Sequence, residues 1–190
     1  MTAPHRSDTW VFGYGSLVSP TSIARTIGRE PQAATDLRVC HLDGYGRRWN
    51  YGSHGPPGNW RHEEVEVNNG LVIALGLTVA GSETCNGVAI RVTADELANL
   101  DQRERDYERT DVTDLIRYED LPATGQVITY VPRPSAIQRY EQGRDAGRAA
   151  IERRYWDLVN GAFSALSPEH HDQFLTTPAP DVPVTDISFS

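Results

Sequence analysis

The stretch TWVFGYGSLVSP, residues 9–20, sets the reading of the whole chain. Thr9 to Gly13 carries Trp, Val and Phe, side chains that suit a pleated and half-buried surface, and predicts a β-strand. Ser19 then offers a cap, Pro20 takes the first helical position, and Gly28 ends the helix that starts there. A glycine-rich turn between a strand and a capped helix aims several backbone N–H groups at one point, which suits an anion of carboxylate size. The plainer alternative is that Gly13 and Gly15 only make a tight turn.

Familiar phosphate and nucleophile motifs do not fit this stretch. A dinucleotide fingerprint would need a third glycine where Val18 stands. A nucleophile elbow would need glycine at Tyr14 and Val18, so Ser16 is a poor covalent nucleophile. All 18 basic residues are arginine. The absence of lysine removes the P-loop, Schiff-base chemistry and pyridoxal phosphate attachment together.

Outward from the opening, strands are predicted over 37–45, 71–79, 87–92, 109–116 and 126–131. Asn69-Gly70 reads as a hairpin turn. The segment 47–69, crowded with Gly, Pro and Asn, reads as a long loop with an embedded short strand. Thr93 and Glu96 have the spacing of a capping box, which starts a helix running through ELANLDQRE. From Arg144 onward, Ile151, Tyr155, Leu158, Ala162 and Leu166 recur at helical spacing and predict one amphipathic helix. Ser167-Pro168 starts a shorter one, to about Leu175, and the Pro-rich end reads as a surface tail. The expected fold is therefore α+β, a small mixed barrel-like sheet with flanking helices, in one domain over 1–177 with a tail at 178–190.

The chain has 190 residues and a net charge of −8. That balance argues against a nucleic-acid partner, since phosphate binding needs clustered cations, and favours a small polar substrate. No apolar run is long enough to span a bilayer and the start lacks an apolar signal core, so a cytoplasmic protein without a membrane partner is expected. Cys40 and Cys85 read as buried thiols, and the six histidines show no metal-ligand spacing, so no metal is expected.

One carboxylate stands out in DELANLDQRERDYER. Leu97 and Leu100 mark the buried stripe of the helix, and position 104, seven residues after 97, falls only ~20° away from it. Glu104 is thus aimed inward, either as a general base whose pKa burial raises, or as the partner of Arg103, Arg105 or Arg109.

The pair FGYGSL and, about ninety residues later, LDQRERDY resembles the γ-glutamylcyclotransferase superfamily, including its ChaC-like branch. GYGRRWNYGS at 44–53 and NGVAIRVTADELANLD extend the resemblance over most of 9–115. The resemblance implies that the loop Gly13, Tyr14, Gly15, Ser16, Leu17 and Val18 holds a γ-glutamyl group and that Glu104 accepts a proton. It implies cyclisation of a γ-glutamyl compound to 5-oxoproline and a free amine, with no cofactor. Tyr14 and Tyr107 are further candidates to line the pocket, Tyr14 with a hydroxyl bond to substrate, with plain packing as the alternative for each. A non-catalytic γ-glutamyl-binding module and a hydrolase releasing glutamate are the rival functions. The leaving amine and the oligomeric state stay open at this level.

Overall fold

The computed structural model describes residues 8–189; residues 1–7, among them His5, and Ser190 lie outside it. Strand β1 (Thr9–Gly13) passes through a 3-10 turn (Ser16–Val18) into α1 (Pro20–Ile27). Ser19 caps α1 by accepting from the Ser22 amide, and Gly28 closes it at φ 80°, a left-handed conformation that costs glycine nothing. After α2 (Ala33–Asp36) come β2 (Leu37–Gly52), β3 (Gly58–His62) and β4 (Val65–Val92).

β4 is the spine of the sheet. Its last residues pair antiparallel with β1 on one side and β2 on the other, so that Ile90 lies opposite both Val11 and Leu37. A strand flanked on both edges and covered on both faces reads as a nearly continuous apolar run, which is what LVIALGLTV and GVAIRV are. Val11, Phe12, Leu42, Ile73, Leu75, Leu77 and Ile90 are all fully buried around it.

Next come α3 (Ala94–Arg103), β5 (Tyr107–Asp111), a second 3-10 turn (Thr113–Leu115), β6 (Ile116–Tyr118) and β7 (Gln126–Pro132). The chain then forms α4 (Pro134–Asp145), β8 (Ala149–Glu152), α5 (Arg153–Leu166), α6 (Pro168–Leu175), β9 (Val184–Thr185) and β10 (Ser188–Phe189). The main path of the mixed sheet is β10-β3-β4-β1-β7-β5, with β2, β6, β8 and β9 pairing off it. The architecture is α+β, as the sequence predicts.

Several local expectations are corrected. The two strands at 71–79 and 87–92 are parts of one strand, and Asn69-Gly70 is no hairpin: Gly70 lies within β4 opposite Gly58. The chain reverses instead near Glu63, which takes φ 52°. Most of 47–69 is strand, with Trp49 and Trp60 buried, because backbone pairing to β4 outweighs local turn propensity. The strand expected at 109–116 is split by the second 3-10 turn. The single helix expected past Arg144 is also divided. Ile151 is in β8, paired with Ile73, and the buried stripe of α5 is Val159, Ala162 and Phe163 while Leu158 faces outward. The Pro-rich end sets β9 against β8 and β10 against β3.

Candidate functional site

The exit of β1, the middle of β4, the end of α3, the starts of β5 and α5, and β7 converge on a slot of about 30 Å³, lined by Tyr14, Gly15, Ser16, Glu104, Tyr107 and Tyr155 with Phe12, Leu17, Leu75 and Tyr130. Local chemistry places each part. The capping box holds, with Thr93 Oγ1 accepting from the Glu96 amide and Glu96 Oε2 from the Thr93 amide. That fixes the start of α3, and the Glu104 amide, donating to Leu100 O at 2.8 Å, keeps Glu104 on its last turn. Leu100 is fully buried on the same face, so the Glu104 carboxyl is carried inward, and its side chain is only 14% exposed.

Burial pushes the Glu104 carboxyl above the usual carboxylate range, and the Arg103 guanidinium pulls it partly back. The apolar cover is not the one expected from the helix stripe. Leu97 lines a groove elsewhere, and Phe12, Leu17, Leu75 and the tyrosine rings surround the acid instead.

Glu104 is both buried and paired, and of the three arginines the sequence offers, Arg103 is its partner. Arg103 Nε lies 3.1 Å from Glu104 Oε1. The same guanidinium donates to Ser16 Oγ and Thr26 Oγ1, each at 2.8 Å, and to Ser22 Oγ. Arg103 therefore ties the acid to the glycine turn and to α1.

The turn itself is built by close approach. A Cβ on Gly13 would sit 2.7 Å from Leu17 Cβ, and one on Gly15 would press on the Tyr155 hydroxyl and Leu75. The turn's internal bonds run from Val18 N to Gly15 O and from Ser19 N to Ser16 O. The first amides of a helical turn have no partner within it, and here these are the N–H groups of residues 15–17.

The tyrosine hydroxyls are engaged within the protein. Tyr14 donates to Tyr130 O at 2.7 Å and Tyr107 to Leu75 O at 3.0 Å, so both protons are held by the protein and the oxygens remain as acceptors. Burial first, then the nearby Glu104 charge, drives the Tyr14 pKa well up. Burial likewise raises Tyr107 and pushes Tyr155 up to about 12. All three rings stay neutral beside the acid.

A larger cleft, of about 870 Å³, lies elsewhere, against α2 and the start of α3. Its charges neutralise one another: Arg29 binds Asp36 and Glu96, and Arg91 binds Asp36. The small slot, by contrast, holds a buried carboxyl of raised pKa beside the glycine turn. Among the described residues no group of three or more His, Cys, Asp or Glu is placed to hold a metal ion, and no helix is long and apolar enough to cross a membrane.

A family model described as ChaC-like protein matches residues 9–152. The chain belongs to the ChaC-like family. This places it in the γ-glutamylcyclotransferase superfamily that the two sequence motifs resemble. Among solved structures the ChaC-like chain is similar to a γ-glutamyl cyclotransferase at 13% identity and TM-score 0.53, covering 92% of this chain and 90% of that one. A yeast γ-glutamyl cyclotransferase specific to glutathione aligns at 11% identity and TM-score 0.52, over 90% and 97% of the two chains. YkqA from Bacillus subtilis aligns at 15% identity and TM-score 0.56, over 91% of this chain and 56% of that one. At these identities the likeness is one of fold. No curated protein sequence matches the chain.

Of the sequence-predicted residues, the ChaC-like fold gathers Glu104, Tyr14, Gly15, Ser16, Leu17 and Tyr107 around the slot. Gly13 and Val18 lie outside its lining; Gly13 supports Leu17, and Val18 is buried in the core. Tyr130, Tyr155, Leu75 and Phe12 line the slot without having been singled out for it. Tyr155 belongs to a helical stripe that reads as core, and its side is set by α5 packing, which no local signal encodes.

Proposed function

We infer that this protein is a γ-glutamylcyclotransferase in which Glu104 carries protons and the turn at residues 14–17 holds the γ-glutamyl group. One observation carries the reading: a buried carboxyl of raised pKa shares one slot with the glycine turn, and Arg103 bridges it to the Ser16 hydroxyl of that turn. The ChaC-like family match supports it.

In the reaction, the α-ammonium of a γ-glutamyl compound gives a proton to the Glu104 carboxylate. The freed amine nitrogen bonds to the γ-carbonyl carbon and closes a five-membered ring. Glu104 returns its proton to the departing nitrogen as the old C–N bond breaks, and the ring nitrogen sheds its second proton. Two of the ammonium's three hydrogens thus leave with the amine, and the third stays on 5-oxoproline.

The residues meet these demands physically. An ordinary Glu, near pKa 4.3, is a weak base toward an α-amine near 8, and burial narrows that gap. The Tyr14 and Tyr107 oxygens, each with its own proton committed elsewhere, can accept from the ammonium. The free N–H groups of the turn suit the α-carboxylate. Ring closure needs one folded conformer, and pre-orientation can supply up to roughly 7–11 kcal/mol in favourable cases.

The test is to incubate the protein with glutathione and a panel of γ-glutamyl amines and amino acids, following 5-oxoproline by mass spectrometry. Glu104→Gln should cut kcat by about 10²- to 10⁴-fold, the range for one positioned acid–base group. Equal activity of variant and wild type rejects the role of Glu104. Free glutamate as product would make the protein a hydrolase, and binding without product a γ-glutamyl-binding module.

A further inference from the structure

Arg47 sits in the core at 5% exposure, against the stacked pair of Phe163 and Phe174, whose centroids are 4.6 and 5.0 Å from its guanidinium carbon. Its hydrogen bonds all go to neutral groups: Tyr14 O, Asn86 O, Asn86 Oδ1 and Thr177 Oγ1. A cation kept in a core without a countercharge is costly, which makes its choice of partners informative.

The partner that matters is Tyr14 O, which accepts from Arg47 Nε at 2.8 Å. That oxygen and the Gly15 N–H belong to one trans peptide, in which C=O and N–H point in opposite directions. Pinning the oxygen toward Arg47 turns the Gly15 N–H the other way, into the slot that Gly15 lines. Glycine on one side of a peptide lets it rotate easily, so the orientation needs holding. A charge-assisted bond also polarises the peptide and makes its N–H the stronger donor.

Arg47 is in turn held in place. Its Nη2 donates to Asn86 Oδ1 at 3.0 Å, while Asn86 Nδ2 donates to His170 Nδ1 and to His170 O, each at 3.0 Å. His170 Nδ1 is therefore an acceptor, and its proton sits on Nε2, 3.0 Å from Glu119 Oε1. This network fixes the amide of Asn86, and with it the guanidinium.

The geometry points to Arg47 as a positioning residue that aims the Gly15 N–H at the α-carboxylate of the substrate. This rests on the cyclisation reading above, and the experiment separates the two. Arg47→Gln and Arg47→Lys are compared with wild type, with the fraction folded measured by circular dichroism. For the γ-glutamyl compound turned over fastest, KM should rise about tenfold in Arg47→Gln with kcat within about twofold, since the lost contact serves substrate and transition state alike. Arg47→Lys, which keeps the charge but donates from a single nitrogen, should fall between. KM for the same compound with its α-carboxylate converted to a carboxamide should be unchanged by either substitution.

Independently, L-glutamate added to ¹⁵N-labelled protein should shift the Gly15 amide resonance in wild type and leave it unmoved in Arg47→Gln. Unchanged KM in folded variants, or an equal KM rise for both compounds, overturns the proposal. Should neither variant fold, the wild-type titration decides: a Gly15 amide that does not move overturns it, and one that moves supports it. A wild type that makes no 5-oxoproline sinks the cyclisation reading, and the paired glutamate titrations then judge Arg47 alone.

Discussion

Replacing Gly13 by alanine tests the glycine turn without touching any group that contacts substrate. The new Cβ would lie 2.7 Å from Leu17 Cβ and 3.3 Å from the Leu17 carbonyl carbon. Carbon atoms pack best at about 3.5–4.0 Å, so the turn has to move by about 1 Å relative to β1. It has little freedom to do so on the β1 side, where Gly13 O already lies 2.1 Å from where a Cβ on Gly87 would be. Overpacking of this kind costs about 1–3 kcal/mol. At about 2–4 °C per kcal/mol for a chain of this size, Tm should fall by about 2–12 °C. The movement is shared by Ser16 and Leu17, and a 1 Å misplacement of a positioned substrate can cost about 10²-fold in rate. The assay is thermal denaturation by circular dichroism beside 5-oxoproline release by mass spectrometry. Gly161→Ala is the control: nothing lies within 4 Å of its Cβ position on α5, so Tm should hold or rise, as expected for alanine in a helix interior. A Gly13→Ala protein with wild-type Tm and wild-type turnover would refute the account of how this turn is built.

The acid limb of kcat/KM should lie above the pH of an ordinary glutamate, and Arg103→Met should move it further up, because burial raises the Glu104 pKa and Arg103 lowers it; a limb that stays in place would remove Arg103 from that role. Stability follows the same sign. A carboxyl with raised folded pKa binds its proton more tightly in the native state, so its contribution favours folding at low pH and is lost as pH rises through the folded value; Tm of Glu104→Gln relative to wild type should therefore increase from pH 4 to pH 7. Ser16→Ala should keep turnover within about tenfold, since Ser16 Oγ accepts from Arg103, whereas a serine nucleophile would lose about 10³-fold or more. Burial pushes the Cys40 thiol up to about 12 and raises Cys85 as well, so iodoacetamide at pH 8 should leave the native protein unlabelled and fully active while labelling both thiols after unfolding.

The parts of the fold that could be read from the sequence are those whose cause lies within a few residues. Ser19-Pro20 with Gly28, the Thr93–Glu96 box and Ser167-Pro168 each satisfy helix-end amides or carbonyls locally, and the structure keeps all three. The failures come from pairing at long range. Asn69-Gly70 has the chemistry of a turn and Asn69 does take φ 54°, yet it makes only an irregularity within β4, because Gly70 pairs with Gly58 of β3 and Leu71 with Ala149 of β8. Helix α4, PSAIQRYEQGRD, passes unnoticed because its apolar stripe is thin: only Ala136 and Tyr140 are buried. Ile151 fits a helical period by coincidence of spacing, and its burial in β8 comes from parallel pairing with a strand nearly eighty residues earlier.

The same division runs through the site. Glu104 is legible because helical periodicity alone carries it onto the face of Leu100, whatever surrounds it. What surrounds it is not legible. The cover comes from Leu75 on β4, Tyr130 on β7 and Tyr155 on α5, residues brought together only by the closing of the sheet. Arg103 looks from the sequence like one of three neighbouring arginines available to pair with the acid. Its distinct role appears only when α1 and α3 pack, and Thr26, Ser22 and Ser16 come within reach of its guanidinium. The turn follows the same rule: the glycines announce close approach, but the identity of what approaches Gly13, Leu17 four residues on, is fixed by the 3-10 turn between them. Local periodicity thus fixes which group is the acid, and tertiary packing fixes how strongly that acid holds its proton.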